Sequence, residues 1–125
     1  MKKIVATKSA PAAVGPYSQA VWAGDTLYLS GQIAINPSIG KLVSGGIEEQ
    51  TTQIFHNMTE VLKAANLTLD NIVKTTVFVT DIANFAKVNA ICAEFFTANP
   101  PARSTVGVKE LPLGALVEIE SIAVK

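Results

Sequence analysis

The chain holds one cysteine, Cys92, and one histidine, His56, among 125 residues. A lone thiol closes no internal disulfide, and one cysteine with one histidine builds no zinc-type cluster, so neither a disulfide framework nor a Cys/His metal site organises the fold. Such cysteine usage fits a reducing compartment, and the cytosol is the expected location. Charge is scarce too. Only 16% of residues are charged, with 10 Lys+Arg against 10 Asp+Glu. The resulting net charge of zero lacks the basic footprint that phosphate binding requires, which argues against a nucleic-acid partner. No run of like charge marks a disordered tail. No apolar run nears the roughly 20 residues of a membrane span, and the basic start Lys2-Lys3-Ile4-Val5-Ala6-Thr7-Lys8 has no apolar core of signal-peptide length. The chain is therefore expected to be neither exported nor embedded, and the sequons Asn57-Met58-Thr59 and Asn66-Leu67-Thr68 carry no weight. A Gly-rich phosphate loop ahead of a helix is also missing, so the usual nucleotide-binding scheme fails.

What is present is apolar: 49% of residues are hydrophobic, and the mean hydropathy of +0.35 is high for a chain of 13.2 kDa, whose large relative surface is normally covered by charge. The length suits one domain, residues 1–125, and the apolar surplus implies a buried subunit interface. Ser18–Ala23 and Thr26–Ile35 read as strands joined at Gly24-Asp25, with Gly31 placed where a bulge or a close backbone approach makes glycine useful. After a loop, Ile54, Phe55, Met58, Val61, Leu62 and Ala65 recur at helical spacing, which predicts a helix over Ile47–Ala65 ending at Asn66. Ile72–Thr80 reads as a strand with Val73, Thr75, Val77 and Val79 on one side, and Asp81 can cap a second helix striped by Phe85, Val88, Cys92, Phe95 and Phe96. Asn99-Pro100-Pro101 stops it. Strands over Arg103–Lys109 and Ala115–Val124 finish the chain, and a short edge strand over Lys3–Ala6 is possible.

The order β-β-α-β-α-β-β, with one apolar stripe per helix, gives an α+β layer: a mixed sheet with both helices on one face. The second face then has no cover within the chain, and other copies are expected to provide it.

Few residues can carry chemistry. Arg103, just after Pro100-Pro101-Ala102, can take a carboxylate by two parallel hydrogen bonds. Glu118 and Glu120 share one strand face roughly 7 Å apart, so one can neutralise Arg103 while the other orients a water. Tyr17 adds a hydroxyl beside a turn, and Ser30-Gly31 add a hydroxyl and backbone groups. Plainer readings stand beside these. Arg103 with either glutamate makes a buried ion pair, Tyr17 packs, and Asn89 is an interface hydrogen-bonder or merely polar. Cys92 is a small core residue with no histidine to activate it, and His56 is a solvated surface side chain.

Several segments are specific enough to carry a resemblance. Ala10-Pro11-Ala12-Ala13-Val14-Gly15-Pro16-Tyr17-Ser18-Gln19-Ala20, Leu29-Ser30-Gly31-Gln32-Ile33, Val73–Asp81, Pro101-Ala102-Arg103-Ser104-Thr105 and Val117–Val124 closely resemble the RidA family, also called YjgF or L-PSP type, in order and over almost the whole chain. The resemblance implies a chorismate-mutase-like α+β fold, a homotrimer with clefts between subunits, and cofactor-free hydrolysis of reactive 2-enamine and 2-imine acids such as 2-aminoacrylate to 2-keto acids and ammonia. It assigns the substrate carboxylate to Arg103, the attacking water to Glu118, a catalytic tyrosine to Tyr17, and the cleft lining to Ser30, Gly31 and Asn89. Thr105 stands where many members carry cysteine, which leaves a backbone N–H as its contact to the carboxylate, and the loop before Pro100 is shorter than in some relatives. Two alternatives stand beside this: a non-enzymatic sensor or chaperone that binds small carboxylates in the same cleft through Arg103, and, from older labels of the family, an endoribonuclease or translation inhibitor. Zero net charge argues against the nuclease.

Overall fold

Lys2 to Lys125 are described by the computed structural model. Eight strands and two helices follow one another as β1 Lys3–Val5, β2 Ala20–Ala23, β3 Thr26–Gln32, β4 Ile35–Asn36, β5 Lys41–Leu42, α1 Ile47–Ala64, β6 Ile72–Val79, α2 Phe85–Phe95, β7 Ala102–Gly107 and β8 Val117–Val124. Six of the strands form one mixed sheet in the order β1-β2-β3-β8-β6-β7. All its pairings are antiparallel except β6 with β7, the two strands that α2 connects. The edge strand expected near residue 3 is present.

Helix α1 forms because its inward positions are apolar at the right period: Ile54, Phe55, Met58, Val61 and Leu62 are all buried. At its start the Glu49 carboxylate accepts the Gly46 N–H at 2.7 Å. It ends as Asn66 turns left-handed at φ +61°, with the Leu67 N–H returning to the Leu62 carbonyl at 2.8 Å. In front of α2, Asp81 caps a single 3-10 turn, its carboxylate taking the Ala83 N–H at 3.0 Å. Both helices lie on the sheet face that carries Leu27, Leu29, Val77, Val79, Val117 and Ile119, and these side chains close the core. Phe55 joins the helices, stacked on Phe95 with centroids 4.5 Å apart and met edge-on by Phe96 at 5.3 Å.

Three expectations are corrected. The long strand over Thr26–Ile35 is bulged between Leu29 and Gln32, where the register with β8 shifts, and ends at Gln32; Ile35 instead begins a two-stranded ribbon with Lys41–Leu42, pinned to α1 because the buried Asn57 amide donates to the Ile35 carbonyl at 2.9 Å. Val73 does not share the inward row of β6, because a register shift between Ile72 and Lys74 turns it outward. In α2 the apolar stripe departs at Phe85, 38% exposed at the sheet edge, while Val88 and Cys92 are buried and Phe95 and Phe96 pack half-buried against the core.

The other sheet face is uncovered. Ile4, Val21, Tyr28 and Ile122 line up across β1, β2, β3 and β8, and Phe78 lies beside Val106, with Ile4 59% and Tyr28 52% exposed.

Replacing Phe55 by alanine removes the ring on which both helices meet, and we expect a loss of roughly 3–5 kcal/mol. Urea unfolding at fixed protein concentration checks this, and a loss below about 1 kcal/mol would mean that the helices are held elsewhere.

Candidate functional site

Strand β7 places Arg103. Pro100 and Pro101 lead the chain into β7, and the parallel register sets Arg103 opposite Thr75 of β6. Neighbours in register point to the same side of a sheet, and Thr75 is buried under the helices, so Arg103 projects to the helix side at the sheet edge. Its guanidinium lies over the Phe85 ring, 5.3 Å from the centroid. Beneath it is a cavity of about 400 Å³ whose walls are Phe55, Val77, Cys92, Phe96 and Ile119, with Asn89 and Thr75 as further polar groups. Asn89 stands one helical turn before Cys92, on the same face of α2. Thr105 follows Arg103 by two residues, half-buried on the same side, opposite Val77. Burial pushes the Cys92 thiol up, and the Arg103 charge beside it offsets this only in part. Cys92 is therefore a neutral wall of the cavity and no nucleophile.

The glutamates are elsewhere. Glu118 pairs with Phe78 and Glu120 with Thr76, and these two residues of β6 neighbour Val106 and Ser104 of β7, not Arg103. Both carboxylates thus stand on the uncovered face, with the sheet between them and Arg103. The expected pairing of Arg103 with Glu118 or Glu120 does not form within the chain. Among the described residues the one ion pair is Lys63–Glu60, at 3.9 Å on the surface of α1.

On that face the bulge at Ser30-Gly31 faces Glu118. A Cβ on Gly31 would lie 2.9 Å from the Glu118 Cδ and closer still to its carboxylate oxygen, so only glycine lets the strand and the carboxylate approach in this way. Burial raises the Glu118 pKa above the ordinary glutamate value, and the charge of Glu120 raises it further. Ser30 is fixed from both ends, its N–H donating to the Gln19 carbonyl at 3.0 Å and its hydroxyl to the Ser18 carbonyl at 2.6 Å. Tyr17 rides on the turn that Gly15 makes possible at φ +124°, and its hydroxyl oxygen accepts the Val14 N–H at 3.3 Å. Tyr17, Ser30, Lys74, Thr76 and Glu120 border a groove of about 470 Å³.

The candidate residues therefore form two half-sites. Arg103, Asn89 and Thr105 lie on the helix side, and Tyr17, Ser30, Gly31 and Glu118 on the open side. Sequence reasoning missed Phe85 as the platform under Arg103, Lys74 in the open groove, and Gln19, whose amide binds the segment before it. His56 is exposed, as expected, and meets the Phe95 ring edge-on with centroids 5.9 Å apart.

A family model described as Endoribonuclease L-PSP matches residues 7–125. The chain belongs to the L-PSP family. Among its relatives is the Homo sapiens protein named 2-iminobutanoate/2-iminopropanoate deaminase, 47% identical over 125 residues that span 100% of this chain and 91% of the relative. A RutC family protein of Aquifex aeolicus is 53% identical over 97% of this chain and 98% of its own length. Among solved structures, the Rid family protein YyfA of Yersinia pestis superposes with a TM-score of 0.98 at 53% identity, covering 100% of both chains. The E. coli protein TdcF, solved with bound serine, does so at 0.93 and 39% identity over 98% of each chain. The Rid-type resemblance read from the sequence holds, and two helices on one face of a mixed sheet is the architecture that the L-PSP family shares.

The two causes of the Glu118 shift can be separated by NMR titration of its side-chain carboxyl. It should titrate above an ordinary glutamate, and Glu120→Gln should bring it down without returning it to the ordinary value, because burial is the larger cause. A Glu118 that titrates normally in the wild type would contradict this.

Proposed function

We propose that this L-PSP family member is a 2-imino acid deaminase, hydrolysing reactive enamine and imine acids released by pyridoxal-phosphate enzymes to 2-keto acids and ammonia, in the cytosol and without a cofactor. The observation that carries the reading is the division of the candidate residues. One side of the sheet offers a guanidinium over an apolar cavity, and the other a carboxylate of raised pKa beside an open backbone. Neither half is sufficient for the reaction. Brought together by two copies of the chain, they supply what it needs. The uncovered apolar face supplies the reason for the copies to associate, and a homotrimer with three such clefts is our assignment.

The chemistry is modest. Two guanidinium N–H groups of Arg103 hold the substrate carboxylate, with the Thr105 N–H and the Asn89 amide as further donors, and the short alkyl chain points to the apolar wall. Protonated at nitrogen, the C=N carbon is already electrophilic. Glu118 takes a proton from a water as its oxygen bonds to that carbon and the π pair moves to nitrogen, giving a carbinolamine. The proton then passes from Glu118 to the amine, and the C–N bond breaks with its electron pair leaving on ammonia as the hydroxyl loses its proton to Glu118. Glu118 gives that proton to the departing ammonia, so that keto acid and ammonium leave and the carboxylate is restored. Tyr17 and the Ser30-Gly31 backbone orient the water and the reacting nitrogen. A raised Glu118 pKa suits this double use, since the carboxyl must both accept and return a proton near neutral pH.

The test couples the purified protein to a serine or threonine dehydratase and follows the rate at which keto acid appears from the released imine. We expect Arg103→Lys to lower kcat/KM by about 10- to 100-fold, because an ammonium cannot reproduce the two-pronged contact. Glu118→Gln should lower kcat by about 10²- to 10⁴-fold with KM nearly unchanged. A wild-type protein that binds 2-keto acids but never accelerates imine hydrolysis would leave a carboxylate-binding sensor as the correct reading.

A further inference from the structure

Gln19 is buried to 5% exposure outside any strand, yet every hydrogen-bonding group of its side chain is used on one segment. Its Oε1 accepts the Thr7 N–H at 2.7 Å, and its Nε2 donates to the Thr7 carbonyl at 3.0 Å and the Pro11 carbonyl at 2.8 Å, with the Ala10 carbonyl at 3.5 Å. The main chain of the same residue reaches the other way, its carbonyl accepting the Ser30 N–H at 3.0 Å. The β2–β3 ladder ends at Ala20 opposite Leu29, and this bond, with that from the Ser30 hydroxyl to Ser18, carries the pairing on to the bulge.

We infer that Gln19 is a positioning residue. By tying the arm Thr7–Pro11 to the backbone of Ser30, it holds the Ser30-Gly31 bulge against the Glu118 carboxylate and the Tyr17 turn beside it. Only a carboxamide offers one acceptor and two donors at this reach. Methionine fills the same length with no hydrogen bond and leaves the Thr7 N–H and the Pro11 carbonyl unpaired. Glutamate keeps the acceptor and sets a second anionic oxygen against two carbonyls. Either change frees the arm, and the bulge moves off Glu118.

The kinetic part of the test rests on the deaminase reading, and the exchange part does not. In Gln19→Met, the Ser30 amide should exchange with deuterium about 10-fold or more faster than in the wild type, while the Val77 amide in the middle of the sheet keeps its protection. With 2-iminobutanoate, kcat should fall about 10- to 100-fold and KM change by less than about twofold, because Arg103 is untouched. In a Glu118→Gln background the same change should cost almost nothing further, since Gln19 acts through Glu118. Gln19→Glu should behave as Gln19→Met does and serves where the methionine variant does not fold. A protected Ser30 amide in a folded variant overturns the inference, as does an equal kcat loss in both backgrounds or the failure of both variants to fold. An inactive wild type with a deprotected Ser30 amide in the variant would overturn the deaminase reading and leave the positioning role standing.

Discussion

Side chains alternate across a β-sheet, and here that alternation separates the cation from the carboxylate. Arg103 on β7 is in register with buried Thr75, and Glu118 on β8 with half-exposed Phe78, so the two functional groups leave the same sheet in opposite directions. No side-chain rotamer can reverse this, because a change of face requires a slip of one residue in register, which would turn Val77, Ile119 and the rest of the core outward. The packing that stabilises the sheet therefore also fixes the division of the site, and makes association of copies a condition of activity in the proposed reaction.

The open face carries the cost. It presents Ile4, Tyr28 and Val106 to solvent and half-buries Glu118 beside a second carboxylate, two features a monomer optimised for its own stability would avoid. A raised carboxyl pKa means that the folded chain prefers Glu118 protonated. That contribution is complete below the unfolded glutamate pKa and is lost as pH rises through the folded one, so a charged Glu118 works against folding. A group retained under those terms is better explained by chemistry than by packing. Gly31 fits the same view, since any side chain there would push the carboxylate out of place.

Periodicity made both helices, β6 and β8 legible, because their buried rows are apolar at 3.6 or 2 residues per repeat. It did not reveal the β4–β5 ribbon, held by a buried asparagine of α1, nor the outward turn of Val73, which depends on a bulge in the pairing with β8. Arg103, the Glu118/Glu120 pair, Tyr17, Ser30, Gly31 and Asn89 were legible as candidates from residue type and spacing, and segment resemblance chose Glu118 and added Thr105. Their division was not, because spacing gives the parity of residues within one strand and says nothing about the parity of one strand against another. Gln19 escaped for a different reason: a polar residue beside a strand reads as exposed unless the loop that wraps it is known.

The central claim, that each working site takes its arginine from one chain and its glutamate from another, is tested most directly by mixing two dead variants. Arg103→Ala and Glu118→Gln are unfolded together, refolded into mixed oligomers and assayed for imine hydrolysis. In a 1:1 mixture roughly a quarter of the inter-subunit sites receive both intact residues, so activity should return to about that fraction of wild type. Mixed oligomers that remain as inactive as either parent would contradict a site shared between chains.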